Sequence, residues 1–334
     1  MRKYKEPTEA MKNLLKQVGS PNYNTSANAS AELALAFAPV IREGIMPGDI
    51  VTDIFTEIPL PQDAIPEFPL DFVAPGTEGD YVAYTLTQHG RIPEKHVEGD
   101  YVLIPTYPIG NSVDYLLKYA RMARWDIVSR AIDIMKQGVA KKMNDDGWHV
   151  LLSAVIDRNI IVFDSDAVTG NFTKRLVTLG KTIMSRNGGG NATSINHRVL
   201  TDLYTSLEAI DDLRNWGIDQ IDELTRREII MDDQNGLVQR IFGVNLHGTW
   251  EFGIGQEYQL FFTSTLGGVL PNAGVELVVG LDLRNQDSFI MPTRGVLEVF
   301  DDPTLHRSQR AGNYCWRELG WGVLDNRNVL ALSF

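Results

Sequence analysis

Six apolar residues, Leu116, Ala120, Ala123, Ile127, Ala131 and Ile134, recur at spacings of four, three, four, four and three, the period of one helical face. Asn111 and Ser112 stand before them as capping candidates, and Asp114 with Lys118 and Asp126 with Arg130 place an acid one turn ahead of a base. The pattern runs on through Val139 and Met143 and predicts a helix from Val113 to about Met143, an irregularity at Asp145, Asp146 and Gly147, and a resumption through WHVLLSAVIDR. Thirty helical residues span about 45 Å. A rod of that length is a strut as well as a core element, and it needs a broad apolar surface to lie on.

The C-terminal part of the chain offers such a surface. VELVVGLD alternates Val275, Leu277, Val279 and Leu281 against Glu276 and Asp282, and strand patterns follow over 288–300, 314–323 and 327–334. The turn signals DDPT and LDNRN separate the last three. An antiparallel sheet here, covered by the long helix, makes a helix-on-sheet lobe whose parts are distant in sequence.

Other segments have little local core. The first 45 residues read as two short helices, about Glu9 to Gln17 and Ala31 to Ala38, around the polar break SPNYNTSANAS. Residues 49–110 carry Pro59, Pro61, Pro66 and Pro69, then two extended stretches, YVAYTLT and EGDYVLIP, on either side of a turn near Gly90. A lone two-stranded arm is stable only when it lies on something else. Residues 160–280 read as an α/β lobe with helices around Leu176, Leu179 and Ile183 and around Leu200, Leu203, Leu207 and Ile210, a break at NGGGN, and a Gly- and Asn-rich tip over 233–274.

Composition narrows the function classes. With 334 residues, 43% hydrophobic and 22% charged, the chain falls in the ordinary globular range. A formal charge of -12 argues against a large nucleic-acid or anionic-membrane footprint. Cys315 is the single cysteine, so neither an internal disulfide nor a multi-cysteine zinc site can form. No signal-peptide pattern and no long uncharged apolar run are present, so no membrane partner is expected.

Catalytic patterns fail one by one. His89, His96, His149, His197, His247 and His306 include no i, i+4 pair, and His89 with His96 across the hairpin turn is the nearest to a metal pair. Gly180-Lys181-Thr182 ends like a phosphate loop but lies in a predicted helix with Arg175 where the first glycine belongs. Gly253 and Gly255 have Tyr258 in place of a third glycine. Cys315 lies inside a predicted strand, as a small buried hydrophobe does. The acidic pairs Asp211–Asp212, Asp232–Asp233 and Asp301–Asp302 are adjacent in sequence and suit turns and caps better than an acid-base pair. No catalytic, cofactor-binding or metal-ligating residue is assigned, and no cofactor is expected.

In order, these segments resemble the HK97-like major capsid fold of tailed bacteriophages, an α+β architecture. The correspondence is 1–48 to an N-terminal arm, 49–110 to an extended β-hairpin loop with flanking strands, 111–159 to a spine helix of the peripheral domain, 160–275 to an axial domain and 276–334 to return strands of the peripheral domain. The closing stretch, from GVLEVFDDPTLHRSQRAGNYCWRELGWG to the final Phe334, carries the resemblance most specifically. What it implies is a non-enzymatic subunit that forms pentamers and hexamers and closes an icosahedral shell around double-stranded DNA, which lies against the shell without specific recognition. It also implies assembly in the host cytoplasm, a place in the virion capsid, and a separate scaffolding protein, a portal and a decoration protein as partners. Some members crosslink a loop lysine to a neighbouring asparagine, and Lys95 is the only loop lysine here. An encapsulin-like compartment shell and a soluble hydrolase with a β-hairpin lid are the alternatives.

Overall fold

The computed structural model describes residues 9–20, 22–45, 50–70, 100–166, 170–186, 197–216, 240–271, 276–284 and 286–334. In chain order the elements begin with helices α1 (Glu9–Val18), α2 (Tyr23–Ile45) and α3 (Ile50–Ile54) and strands β1 (Thr56–Leu60), β2 (Glu67–Leu70), β3 (Asp100–Leu103) and β4 (Tyr107–Leu116). They continue with α4 (Leu117–Arg121), α5 (Trp125–Arg158), β5 (Ile161–Phe163), α6 (Lys174–Arg186), β6 (Asp202–Thr205), α7 (Leu207–Asn215), β7 (Arg240–Ile241), β8 (Val244–Gly248) and α8 (Glu257–Leu260), which runs into a π-turn over Phe261–Thr265. Strands β9 (Leu277–Leu281), β10 (Phe289–Asp301), β11 (Arg310–Leu319), β12 (Gly322–Val323) and β13 (Val329–Ser333) close the chain.

Two compact units result, the first from 1–67, 103–147 and 290–322 and the second from 68–102, 148–289 and 323–334. In the first, β1, β10, β11 and β4 lie side by side in that order, β1 parallel to β10 and the other pairs antiparallel. A bulge between Arg294 and Glu298, where Gly295 has φ +70°, bends β10. Ile109 and Tyr115 of β4, Cys315 and Leu319 of β11 and Leu297 and Val299 of β10 are buried. Asn111 Nδ2 donates to Met135 O at 3.2 Å, so the first half of α5 passes over β4. Elsewhere in this unit α1 packs on α2, with Leu15, Val18, Leu33 and Phe37 buried, and Ser26 Oγ donates to Val18 O at 2.5 Å.

The long helix exists, but it starts at Trp125 and not at Val113. Tyr107–Leu116 is instead a strand with ten paired positions against β11. Its Ile109, Val113 and Tyr115 supply a period of two that the helical spacing overlies, and a full ladder outweighs the local pattern. Ala123, at φ +51°, breaks the backbone between α4 and α5. The buried stripe of α5 is Val128, Ile132, Met135, Val139 and Met143; Val139 and Met143 are as expected, while the earlier part is displaced from the expected Ile127, Ala131 and Ile134, of which Ile134 is exposed. No irregularity occurs at 145–147. Gly147 is there because a Cβ at that point would collide with the Val51 side chain.

The second unit is a six-stranded sheet in the order β5, β13, β9, β6, β8, β7, with β5–β13 and β6–β8 parallel and the other pairs antiparallel. One core joins Leu176, Val177 and Met184 of α6 and Ile210 and Leu213 of α7 to Leu203, Val278, Leu330 and Leu332 of the strands. On the other side Trp148 of α5 meets Tyr204 and Phe252 at 5.0 Å and Tyr258 at 5.6 Å between ring centres. Strands β6, β9 and β13 are therefore buried throughout. The return strands expected as one group over 276–334 divide between the units: β9 and β13 belong to this sheet, while most of β10 and all of β11 belong to the first.

Most of the extended loop, with YVAYTLT, Gly90, His89, Lys95 and His96, lies outside the described residues, as do NGGGN and Asp232–Asp233. Its two flanks, β2 and β3, pair as a two-stranded sheet.

Candidate assembly surfaces and the shared fold

The alternation that buries one face of the first unit's sheet exposes the other. Phe300 faces Tyr314 across the β10–β11 ladder with ring centres 5.4 Å apart, and Trp316 follows two residues along. These rings are 39%, 38% and 41% exposed. Trp316 pairs with Gly110 and Tyr314 with Ser112, so β4 sets no bulk beside them. Ion pairs flank the rings, Arg310 to Asp114 at 3.0 Å and Arg294 to Glu318 at 3.5 Å. Aromatic area in the open, rimmed by charge, is the composition of a contact surface. In the second unit Trp250, Ile254, Leu260 and Val269 project from the segment around α8, with Trp250 77% and Val269 80% exposed. Positive φ at Gly253 and Gly255 folds this segment into tight turns, which is why the G-x-G stands there.

Several of the described residues weighed for chemistry have structural partners. Cys315 is buried on β11 with Sγ 3.6 Å from Asn111 O, and burial pushes its thiol pKa up, away from the reactive thiolate. Lys181 sits in α6 and donates from Nζ to Phe242 O at 2.6 Å, while Gly180 lies against Leu332, so this stretch is a helix–sheet contact. Asp212 accepts from Phe172 N at 2.9 Å, and Asp302 accepts from Thr304 N at 3.0 Å. His149 stacks on Phe261 with ring centres 3.7 Å apart. His247 Nε2 lies 2.9 Å from Asp202 Oδ1, which also accepts from Asn245 Nδ2 at 3.0 Å. Burial pushes the Asp202 pKa up, but these partners outweigh it and hold the carboxyl below its usual value. His197 is exposed, and the side chain of His306 lies outside the described residues. Among the described residues no group of three or more metal-ligating side chains gathers, and no helix is long and apolar enough to cross a membrane.

Three features escaped the sequence reading. The aromatic face requires the strand register, which is a tertiary fact. Buried Glu276 and the arginine cluster around Asp325 both assemble from segments far apart in sequence.

No family model and no curated protein sequence matches the chain. Solved structures do. The acid-stable capsid structure of Helicobacter pylori bacteriophage KHP30 aligns with a TM-score of 0.58 at 10% identity, over 84% of this chain and 87% of that one. A Microbacterium phage Oxtober96 structure aligns at 0.57 and 10% identity over 83% and 85%, and a Mycobacterium phage Bobi structure at 0.55 and 13% over 85% and 90%. At such identities the likeness is one of fold, and it spans the greater part of both chains. The chain has the mixed α+β, HK97-type fold of bacteriophage capsid structures.

Proposed function

We propose that this chain is a major capsid protein, a structural subunit whose copies assemble through pentamers and hexamers into the icosahedral shell of a virion enclosing double-stranded DNA. The observation that carries the reading is the shared fold, which extends over more than four fifths of the chain and of phage capsid structures alike. The exposed aromatic rows support it, because a shell subunit needs several separate contact surfaces. In this reading the first unit is the peripheral domain, the second is the axial domain, and 59–101 is the extended loop. A separate scaffolding protein directs closure, a portal takes one vertex, a decoration protein binds outside, and assembly takes place in the host cytoplasm. The compartment-shell and hydrolase readings find no favouring observation in the comparisons above.

Electron microscopy of the chain expressed with its scaffolding protein tests the proposal. Hollow particles hundreds of ångströms across are expected. The unassembled fraction should weigh about 187 or 224 kDa, five or six chains of 37.3 kDa. A monomer or dimer under every assembly condition, with no ring or shell, would sink the reading.

A further inference from the structure

In the second unit, the segment entering β6 and the turn between β12 and β13 bring two guanidinium groups onto one carboxylate, and the last turn of α5 sets a third, that of Arg158, within their electrostatic reach. Arg198 Nη2 lies 2.6 Å from Asp325 Oδ2, while Arg327 Nε and Nη2 lie 2.9 and 3.0 Å from Asp325 Oδ1 and Oδ2. Asp325 Oδ1 also accepts from Arg327 N at 3.0 Å. Both carboxylate oxygens are thus engaged, and these side chains are only 13% to 18% exposed.

Arg158 is the third cation, and it has no share in that carboxylate. It makes no hydrogen bond or ion pair among the described residues, and its Nε is buried without a partner. The Nε of Arg198 is likewise buried and unpartnered. Burial disfavours the charged form of Arg158, and of the charges that bear on it Asp325 supports that form whereas Arg327 and Arg198 oppose it. Elsewhere in this unit such a contact closes one to one, as Arg284 does with Asp282. The C-terminal end of α5 contributes only about half a negative charge. Arg158 therefore keeps a positive charge that no hydrogen-bonded or ion-paired carboxylate among the described residues takes, in a half-buried setting where an unmatched guanidinium is costly.

We propose that Arg158, Arg198 and Arg327 form a binding site for a dianionic phosphate group, free or at the end of a nucleotide, with Arg158 supplying the guanidinium that no protein carboxylate takes. Guanidinium forks match phosphate oxygens two at a time. A terminal phosphate carries about -1.5 to -2 at neutral pH and three acceptor oxygens, whereas a carboxylate or a phosphodiester carries a single charge. The site is independent of whether the chain forms shells.

Calorimetric titration of the full chain with sodium phosphate, in chloride buffer of matched ionic strength, tests it. Saturable binding of one phosphate per chain is expected. Arg158→Gln should weaken it at least about tenfold, the loss of one charge-assisted contact, and Arg158→Lys should fall between because it keeps the charge without the fork. A nucleoside monophosphate binding as well as inorganic phosphate assigns the site to nucleotide ends, and binding of inorganic phosphate alone assigns it to the free ion; both support the proposal. No saturable phosphate binding by the wild type up to about 10 mM overturns it. So does unchanged binding in Arg158→Gln, or binding of a double-stranded DNA oligomer at Arg158 without any binding of inorganic phosphate. Should Arg158→Gln fail to fold, the wild-type titration and Arg158→Lys decide.

Discussion

Glu276 precedes β9 and is only 6% exposed. Its backbone closes a pair of hydrogen bonds with Phe334, and its carboxylate accepts from Ser206 Oγ. The same Ser206 oxygen accepts from Ala209 N at 3.2 Å and so caps α7, leaving one hydroxyl to serve the helix end and the acid together. Burial pushes the Glu276 pKa above its ordinary 4.5; the Ser206 hydrogen bond pulls the other way, and the charges of Glu208 and Asp212 add to the rise. A carboxyl whose pKa is higher folded than unfolded penalises the native state once it must ionise. The penalty is absent below about pH 4.5, grows as pH rises from there to the folded value, and is full above it. Glu276→Gln keeps an acceptor for Ser206 and removes the charge, so it should raise the thermal unfolding midpoint at pH 7 and converge with the wild type near pH 4. A loss of stability at pH 7 would mean that the ionised form is what holds Ser206 in place. Alternation along VELVVGLD puts Glu276 and Asp282 on a solvent face, yet Asp282 is 1% exposed and accepts from Val199 N and Arg284. The alternation failed because β9 has helices on both sides, which no pattern within its own residues records.

At the scale of elements, α5 separates what the sequence discloses from what it hides. The existence of a long helix was legible from its spacing, as was a sheet for it to lie on, because both signals are local. Its start was hidden, because Val113 to Leu116 fit a helix and a strand equally well and only β11 chooses between them. The buried face was shifted by the same error, since Leu116, Ala120 and Ala123 were counted into a helix to which they do not belong. The catalytic motifs were rejected on sequence context alone, and Lys181, Cys315 and Asp302 have packing or capping roles to account for them. A paired substitution tests the corrected face. Val128 is 1% exposed, so Val128→Asp should cost several kcal/mol, a large share of an ordinary stability of about 5 to 15 kcal/mol, and yield insoluble or proteolysed protein. Ile127→Asp, one residue earlier and partly exposed, should unfold within a few degrees of the wild type. Equal damage from both would mean that α5 is enclosed on two sides.

On the proposed capsid reading, the whole molecule has to reconcile an acidic sum with self-association. A net charge of -12 makes identical copies repel at long range, while short-range attraction must come from patches such as Phe300, Tyr314 and Trp316. The two forces respond differently to salt, because screening shortens the repulsion to about 8 Å at physiological ionic strength and leaves apolar burial almost unchanged. Shell yield should therefore rise from low to moderate salt. Trp316→Ser should lower that yield at every salt concentration without moving the unfolding midpoint of the unassembled subunit, since an exposed side chain contributes little to subunit folding. An interfacial tryptophan commonly contributes 2 kcal/mol or more, and many copies of one contact close a shell, so even a modest loss at each contact should abolish closure. Particle counts by electron microscopy, with calorimetry on the subunit fraction, read both quantities from one preparation. Undiminished particles from Trp316→Ser would place this aromatic row outside the subunit contacts. A fall in yield as salt rises would show that complementary charged rims, such as Arg310 with Asp114, hold the copies together more strongly than the rings they flank.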